Sequence, residues 1–188
     1  MLGSGSSGNT TLVSDGTTHI LVDVGLSGRE SARRLRECGL EPDKISAIVI
    51  SHEHGDHCRG VGPFAKNLDI PVFMTEAALA CSGLALDSRK YHRIGSGESF
   101  DINGILFTGF SVPHDAIDPL GFVIEKDGVK IGVAYAKPSF IIALPGPHQE
   151  AKIGIEVIIE GFKKGLDKEA LALSLSERYI EYLKKIHN

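Results

Sequence analysis

The chain has 188 residues, 42% of them hydrophobic and 23% charged, and carries a formal net charge of −4. Such usage excludes disordered, collagenous and coiled-coil chains, and the length suits a single domain, residues 1–188, with an adequate core. The acidic balance speaks against a broadly basic face for holding nucleic acid, although a metal-lined cleft supplies positive charge that residue counts omit.

Thr10 to Ser14 and Thr17 to Val24 are β-branched, apolar segments around Asp15-Gly16, a dipeptide suited to a tight turn, so the chain opens with a predicted hairpin. Ser27 stands three positions before Glu30, a capping-box spacing, and a helix follows through Cys38 until Gly39 ends it. Ile45 to Ser51 is a nearly continuous apolar run, as expected of a strand buried on both faces. A histidine cluster comes next, then a short helix near Val61 to Asn67, a strand at Ile70 to Met74, and a short helix from Thr75-Glu76 to Gly83. From Glu98 onward four strands are predicted: Ser99 to Ile102, Ile105 to Val112, Gly121 to Lys126 and Val129 to Tyr135. Asn103-Gly104 and Asp127-Gly128 are hairpin turns between them. A Pro/Gly-rich loop then leads to Ala151 to Lys164, where a helix and the strand-like alternation of Ile153, Ile155, Val157 and Ile159 both remain open. A last helix starts at Asp167, with Leu171, Leu175, Tyr179, Leu183 and Ile186 at helical spacing. That stripe reads as core-packed, and it would support a homo-oligomer if exposed.

No apolar run approaches the roughly 20 residues that cross a bilayer, so no membrane partner is expected. Met1-Leu2-Gly3-Ser4 lacks the basic start and apolar stretch of a signal peptide. Three scattered cysteines, Cys38, Cys58 and Cys81, suit free thiols, and both features predict a cytoplasmic protein.

The strongest chemical signal is Ser51-His52-Glu53-His54-Gly55-Asp56-His57, directly after the buried strand. Three imidazoles and a carboxylate in six residues form a dense set of nitrogen and oxygen donors suited to zinc or a similar divalent ion. In an extended turn His52, His54 and Asp56 project to one side and His57 elsewhere, so the segment can serve two neighbouring metal positions. A polar surface loop rich in histidine is the weaker reading, because clustered neutral imidazoles next to a core strand need partners.

This run, with Leu21-Val22-Asp23-Val24-Gly25 upstream and Pro113-His114-Asp115 downstream, resembles the metallo-β-lactamase fold. Ser4-Gly5-Ser6-Ser7-Gly8-Asn9, Asp23-Val24-Gly25-Leu26-Ser27-Gly28, and His114-Asp115-Ala116 followed by Asp118-Pro119-Leu120-Gly121-Phe122 are similar, more narrowly, to a small bacterial exonuclease-like subgroup of it. The resemblance runs over residues 1–137 and leaves 138–188 as an unmatched tail. It implies an α/β fold, an αββα sandwich, shortened here and ending in a divergent, helical segment. It also implies one or two divalent ions, zinc or manganese, and a metal-activated water that attacks an ester, phosphodiester or amide. Within the subgroup the substrate class is a phosphodiester of nucleic acid. Carried over by residue, His52, His54 and His114 would bind the first ion and Asp56 and His57 the second, with Asp23 supporting the ligand loop and Asp56 also holding the attacking water.

The sequence departs from the family where a Thr-Asp pair would bring a bridging carboxylate, since it reads Tyr135-Ala136-Lys137-Pro138. No Gly-His motif follows, and His148 is the candidate substitute ligand. A weakened second site, a single-ion site or a catalytically impaired metal-binding module is therefore a rival expectation. The length is short for the fold it resembles, which predicts either a trimmed variant or a site completed by the tail or a partner subunit. Gly3 to Gly8 matches the dinucleotide fingerprint literally, but no strand precedes it and a strand rather than a helix follows. Arg29, Arg33, Arg34 and Arg36 read as a solvated helix face, Cys58 as a packing residue, and His19 and His92 as surface or packing histidines.

Overall fold

The computed structural model describes residues 1–134, 140–142 and 177. The tail elements expected from Ala151 onward, together with His148 and residues 135–139, lie outside the described residues.

Two five-stranded sheets form the frame. The first consists of β1 (Thr11–Ser14), β2 (His19–Val22), β3 (Ala47–Val49), β4 (Val72–Met74) and β5 (Tyr91–Arg93), in that spatial order. Only the β1–β2 hairpin is antiparallel; β2 to β5 run parallel, joined by helical crossovers. The second sheet holds β6 (Ser99–Ile102), β7 (Ile105–Ser111), β8 (Leu120–Lys126), β9 (Val129–Ala134) and β10 (Phe140–Ile142), all antiparallel. Its turns are the predicted ones. Asn103 and Gly104, and Asp127 and Gly128, all have positive φ, as a two-residue turn between twisted strands requires.

Strand alternation divides the core into two layers. Ile20, Val22, Ala47 and Val49 point between the sheets and meet Ile105, Phe107, Leu120, Phe122 and Ile124. Leu21, Ile48, Ile50, Val72 and Met74 point the other way, onto Leu35, Val61, Phe64 and Ala78. Those partners belong to α1 (Gly28–Glu37), α3 (Val61–Leu68) and α4 (Glu76–Ser82). The apolar run at 45–51 is thus buried on both faces for the predicted reason: one face meets the second sheet and the other meets helices. Phe107 and Phe122 are fully buried, and each contributes about 1.5–3 kcal/mol by leaving water.

Local signals in the first half hold with adjustments. Ser27 caps α1 by accepting from the Glu30 amide, but the Glu30 carboxylate turns to Arg33 and Arg34 rather than back to the cap. Thr75 caps α4, and Gly83 ends it at φ 68°. β5, a 3-10 turn at Pro42–Lys44, and the four-residue α2 (Gly55–Cys58) were not expected from sequence. The first two are three-residue pieces, and α2 is a single turn inside the histidine cluster, too short for periodicity to register. β10 stands where a loop was expected; its pairing with β9 is a tertiary contact that local composition does not encode. No helix among the described residues is long and apolar enough to cross a membrane.

Candidate metal centre

The site is built at the ends of β2, β3 and β7, where the chain leaves both sheets. Asp23 directly follows β2. It is fully buried and held at φ 58°, a left-handed conformation that aspartate tolerates better than most side chains. Three donors converge on its carboxylate: the Ser51 amide at 2.8 Å, the Ser51 hydroxyl at 2.7 Å and His57 Nδ1 at 2.7 Å. A carboxylate only accepts, so these contacts fix the protons around it. His57 carries its proton on Nδ1. The Ser51 hydroxyl, having donated to Asp23, accepts from His52 Nδ1 at 2.9 Å. In its neutral form each ring then carries its one lone pair on Nε2.

His52 is 1% exposed, and its Nε2 is buried without a hydrogen-bond partner among the described residues. Burial first, then the neighbouring His57, His114 and His54, push its pKa down to about 2, so it is a neutral imidazole. His54 occupies the N-cap of α2, yet its side chain makes no capping bond and faces the cluster instead. His114 enters from the loop after β7, its Nδ1 lying 2.6 Å from Asp115 Oδ1 and 2.9 Å from the Asp115 amide nitrogen. Ring centroids of His52 and His54 are 4.8 Å apart, those of His52 and His114 4.5 Å, and those of His54 and His114 5.0 Å. One donor atom from each of the three lies within 4.8 Å of the others. Three imidazole nitrogen donors, one of them a buried orphan, fit a divalent cation, because an unpaired buried acceptor is otherwise a net cost.

Asp56 and His57 lie on α2, beside this trio. The Asp56 side chain is 34% exposed, and its Oδ2 is 3.6 Å from His57 Nε2. Burial opposes charge on His57, but the Asp23 carboxylate, its hydrogen bond and Asp56 together raise the pKa above the ordinary histidine value. Asn9, fully buried, covers this pair: its Nδ2 is 2.9 Å from His57 Nε2 and 3.1 Å from Asp56 Oδ2. The Asn9 backbone locks the contact, donating to Asp56 O and accepting from the Gly25 amide. Only glycine permits that crossing, since a Cβ on Gly25 would lie 1.5 Å from Asp56 O. Gly8, at φ 145°, has the same constraint against Leu26 N, where a Cβ would stand at 2.6 Å. Of the glycines that mimic a dinucleotide fingerprint, Gly3 and Gly8 therefore serve close backbone packing, whereas a Cβ on Gly5 would meet nothing within 4 Å.

Sequence reasoning placed His52, His54, His114, Asp56, His57 and Asp23 here, and the fold brings them together. It missed three contributors. Ser51 relays Asp23 to His52; its place at the head of the cluster was the available signal. Asn9 closes the opening Gly/Ser motif, Ser4 to Asn9, which resemblance alone gave no role. Glu53, between two histidines, accepts from the Ile117 amide at 3.1 Å, tying the loop of His52 and His54 to the loop of His114. Cys58 is a packing residue as expected. Its thiol donates to Glu53 O, and burial, with the charges of Asp23, Glu53 and Asp56, pushes its pKa to about 11. The arginines of α1 are largely spent in ion pairs, Arg33 and Arg34 with Glu30, Arg33 also with Glu37, and Arg36 with Glu41. His92 stacks on Phe73, and His19 binds Ser14.

The family profile described as Metallo-beta-lactamase superfamily matches residues 3–139. The chain belongs to the metallo-β-lactamase superfamily. Among curated members, the Exodeoxyribonuclease WalJ of Streptococcus pneumoniae is 33% identical over 132 residues, covering 68% of this chain and 49% of that protein. The Exodeoxyribonuclease YycJ of Bacillus anthracis is 29% identical over 138 residues, covering 71% and 52%. Ribonuclease Z of Streptococcus equi subsp. equi is 28% identical over 145 residues, covering 77% and 42%. The chain thus spans about half the length of the curated relatives it matches. A Cronobacter sakazakii metallo-β-lactamase with a HARLDQ motif superposes with a TM-score of 0.61 at 15% identity, covering 98% of this chain and 93% of that one. The metallo-β-lactamase SMB-1 does so at 0.57 and 19%, covering 71% and 59%. These structures establish the superfamily fold and nothing narrower, and the predicted mixed α/β sandwich agrees with it over the described residues.

Proposed function

We propose that this chain is a metal-dependent hydrolase that cleaves phosphodiesters of nucleic acid in the cytoplasm. The supporting observation is the trio His52, His54 and His114, with the Nε2 of His52 buried and without a hydrogen-bond partner among the described residues. These three residues would hold zinc or manganese. When bound, the ion supplies hydroxide at neutral pH and polarises a phosphoryl oxygen. The chain's own groups do the rest. Asp23, through Ser51 and His57, keeps both Nδ1 protons in place so that each Nε2 faces the cluster. Asp56, one-third exposed beside the trio, positions the attacking water and accepts its proton. Names of the exonuclease and ribonuclease relatives favour nucleic acid as the phosphodiester.

Elemental analysis after reconstitution tests the metal centre. One equivalent of zinc or manganese is expected in the unaltered chain and none in His52→Ala. Equal metal content in both, or none in either, overturns the reading. Metal-dependent cleavage of a labelled single-stranded oligonucleotide, abolished in Asp56→Ala, tests the reaction. The rival, a metal-binding module without hydrolytic activity, draws support from Tyr135-Ala136-Lys137-Pro138 at the place of the family's bridging carboxylate; it predicts metal uptake with no cleavage.

A further inference from the structure

The two candidate metal positions are not equivalent, and the difference lies in one side chain. At His52, His54 and His114 a buried acceptor waits without a donor. At Asp56 and His57 a donor is already in place: Asn9 Nδ2, 2.9 Å from His57 Nε2 and 3.1 Å from Asp56 Oδ2. The orientation of this carboxamide is fixed by its surroundings. The Gly5 amide donates to Asn9 Oδ1 at 2.9 Å, so the oxygen faces Gly5 and the NH2 faces the pair. With Nδ1 held toward Asp23, the His57 ring can offer a cation only one lone pair, on Nε2, and only in its neutral form. That lone pair can meet the Asn9 N–H or a cation, and not both. Asn9 cannot simply swing aside, because it is 1% exposed and its backbone is bonded to Asp56 on one side and Gly25 on the other. As they stand, the residues of the second position do not fit an ion.

We propose that Asn9 is a resident competitor for the second metal position, so that the chain binds one ion tightly through His52, His54 and His114 and a second only weakly at Asp56 and His57. The inference rests on the metal centre proposed above. It makes the number of ions a property of residue 9, a position in the opening glycine-rich loop far in sequence from every ligand. Replacing the amide by a carboxylate removes the competing donor and adds an oxygen ligand facing the same space, while Oδ1 keeps its bond from Gly5. In the metal-free state that carboxylate faces Asp56 and the His57 acceptor, a repulsion that a bound cation relieves.

The test titrates zinc, and separately manganese, into the metal-free chain by calorimetry, with elemental analysis of the dialysed product and melting temperatures at each stage. The unaltered chain is expected to retain one ion on dialysis. Asn9→Asp is expected to retain two, to bind the second at least tenfold more tightly, and to show a larger metal-dependent rise in melting temperature. Asn9→Ala, which removes the donor without adding a ligand, should fall between them. Two ions of similar affinity in the unaltered chain overturn the inference. So does a single ion in both variants, or in Asn9→Ala alone if the aspartate variant does not fold. Absence of any bound ion in the unaltered chain overturns the metal centre itself, an outcome distinguishable from either.

Discussion

Around His52 the polar accounting is left open, whereas around His57 it is closed. His52 is anchored on one side by Ser51 and presents a bare, buried nitrogen on the other. His57 is anchored by Asp23 and meets Asn9 on its free side. One carboxylate orients both rings, yet only one ring is left wanting a partner. A binding site is therefore marked less by which residues gather than by which of their lone pairs the fold leaves unspent.

The largest way to break this contrast is Gly25→Ala, because the new methyl would overlap Asp56 O and separate the Asn9 loop from α2. A loss of at least about 4 kcal/mol is expected in chemical denaturation, if the variant is soluble at all. His52→Ala should leave folding measurable but reduce metal content to background, while the Asn9 contacts of His57 persist. Asp23→Asn strikes both halves together. Removing a charged acceptor from three buried donors should cost about 2–3 kcal/mol, and disordering two rings should weaken metal binding about 10–100-fold. Glu53→Ala tests only the open half. It releases the Ile117 amide and the His114 loop, and a loss of about 1 kcal/mol with a several-fold drop in metal affinity is expected.

The smallest effect concerns the anchorage of the Asn9 loop. Arg34 binds Leu2 O and the Glu30 carboxylate, and so ties the start of the chain to α1. Hydrogen bonds from Arg33 and then Arg34 hold the Glu30 pKa down to about 2, below its ordinary 4.5. Because the folded value is the lower one, the contribution is complete above about pH 4.5 and disappears as pH falls toward 2. Comparing melting temperatures of Glu30→Gln and the unaltered chain should show a small gap above pH 5 that closes by about pH 2.5.

Legibility differed between the sheets for a physical reason. In the second sheet, Asn103-Gly104 and Asp127-Gly128 set two registers locally, so β6 to β9 were readable from turn chemistry alone. In the first, β5 is three residues long and is stabilised by parallel pairing with β4 across a helical connection, which leaves no local mark. The site divides in the same way. His52, His54, Asp56 and His57 announce themselves by density, and His114 and Asp23 through resemblance. Asn9 and Glu53 act through contacts across long sequence separations, |i−j| of 48 from Asn9 to His57 and 64 from Glu53 to Ile117.

By itself the sequence determined a mixed α/β chain, its hairpins and most of its helices, and the cluster of nitrogen donors, because each depends on neighbours a few positions apart. Only the tertiary structure decided which of those donors is free. Tautomers and lone pairs are assigned by partners that the fold gathers: Asp23 from the end of β2, Ser51 from just beyond β3, and Asn9 from a loop that reaches α2 only where Gly25 lets two backbones touch.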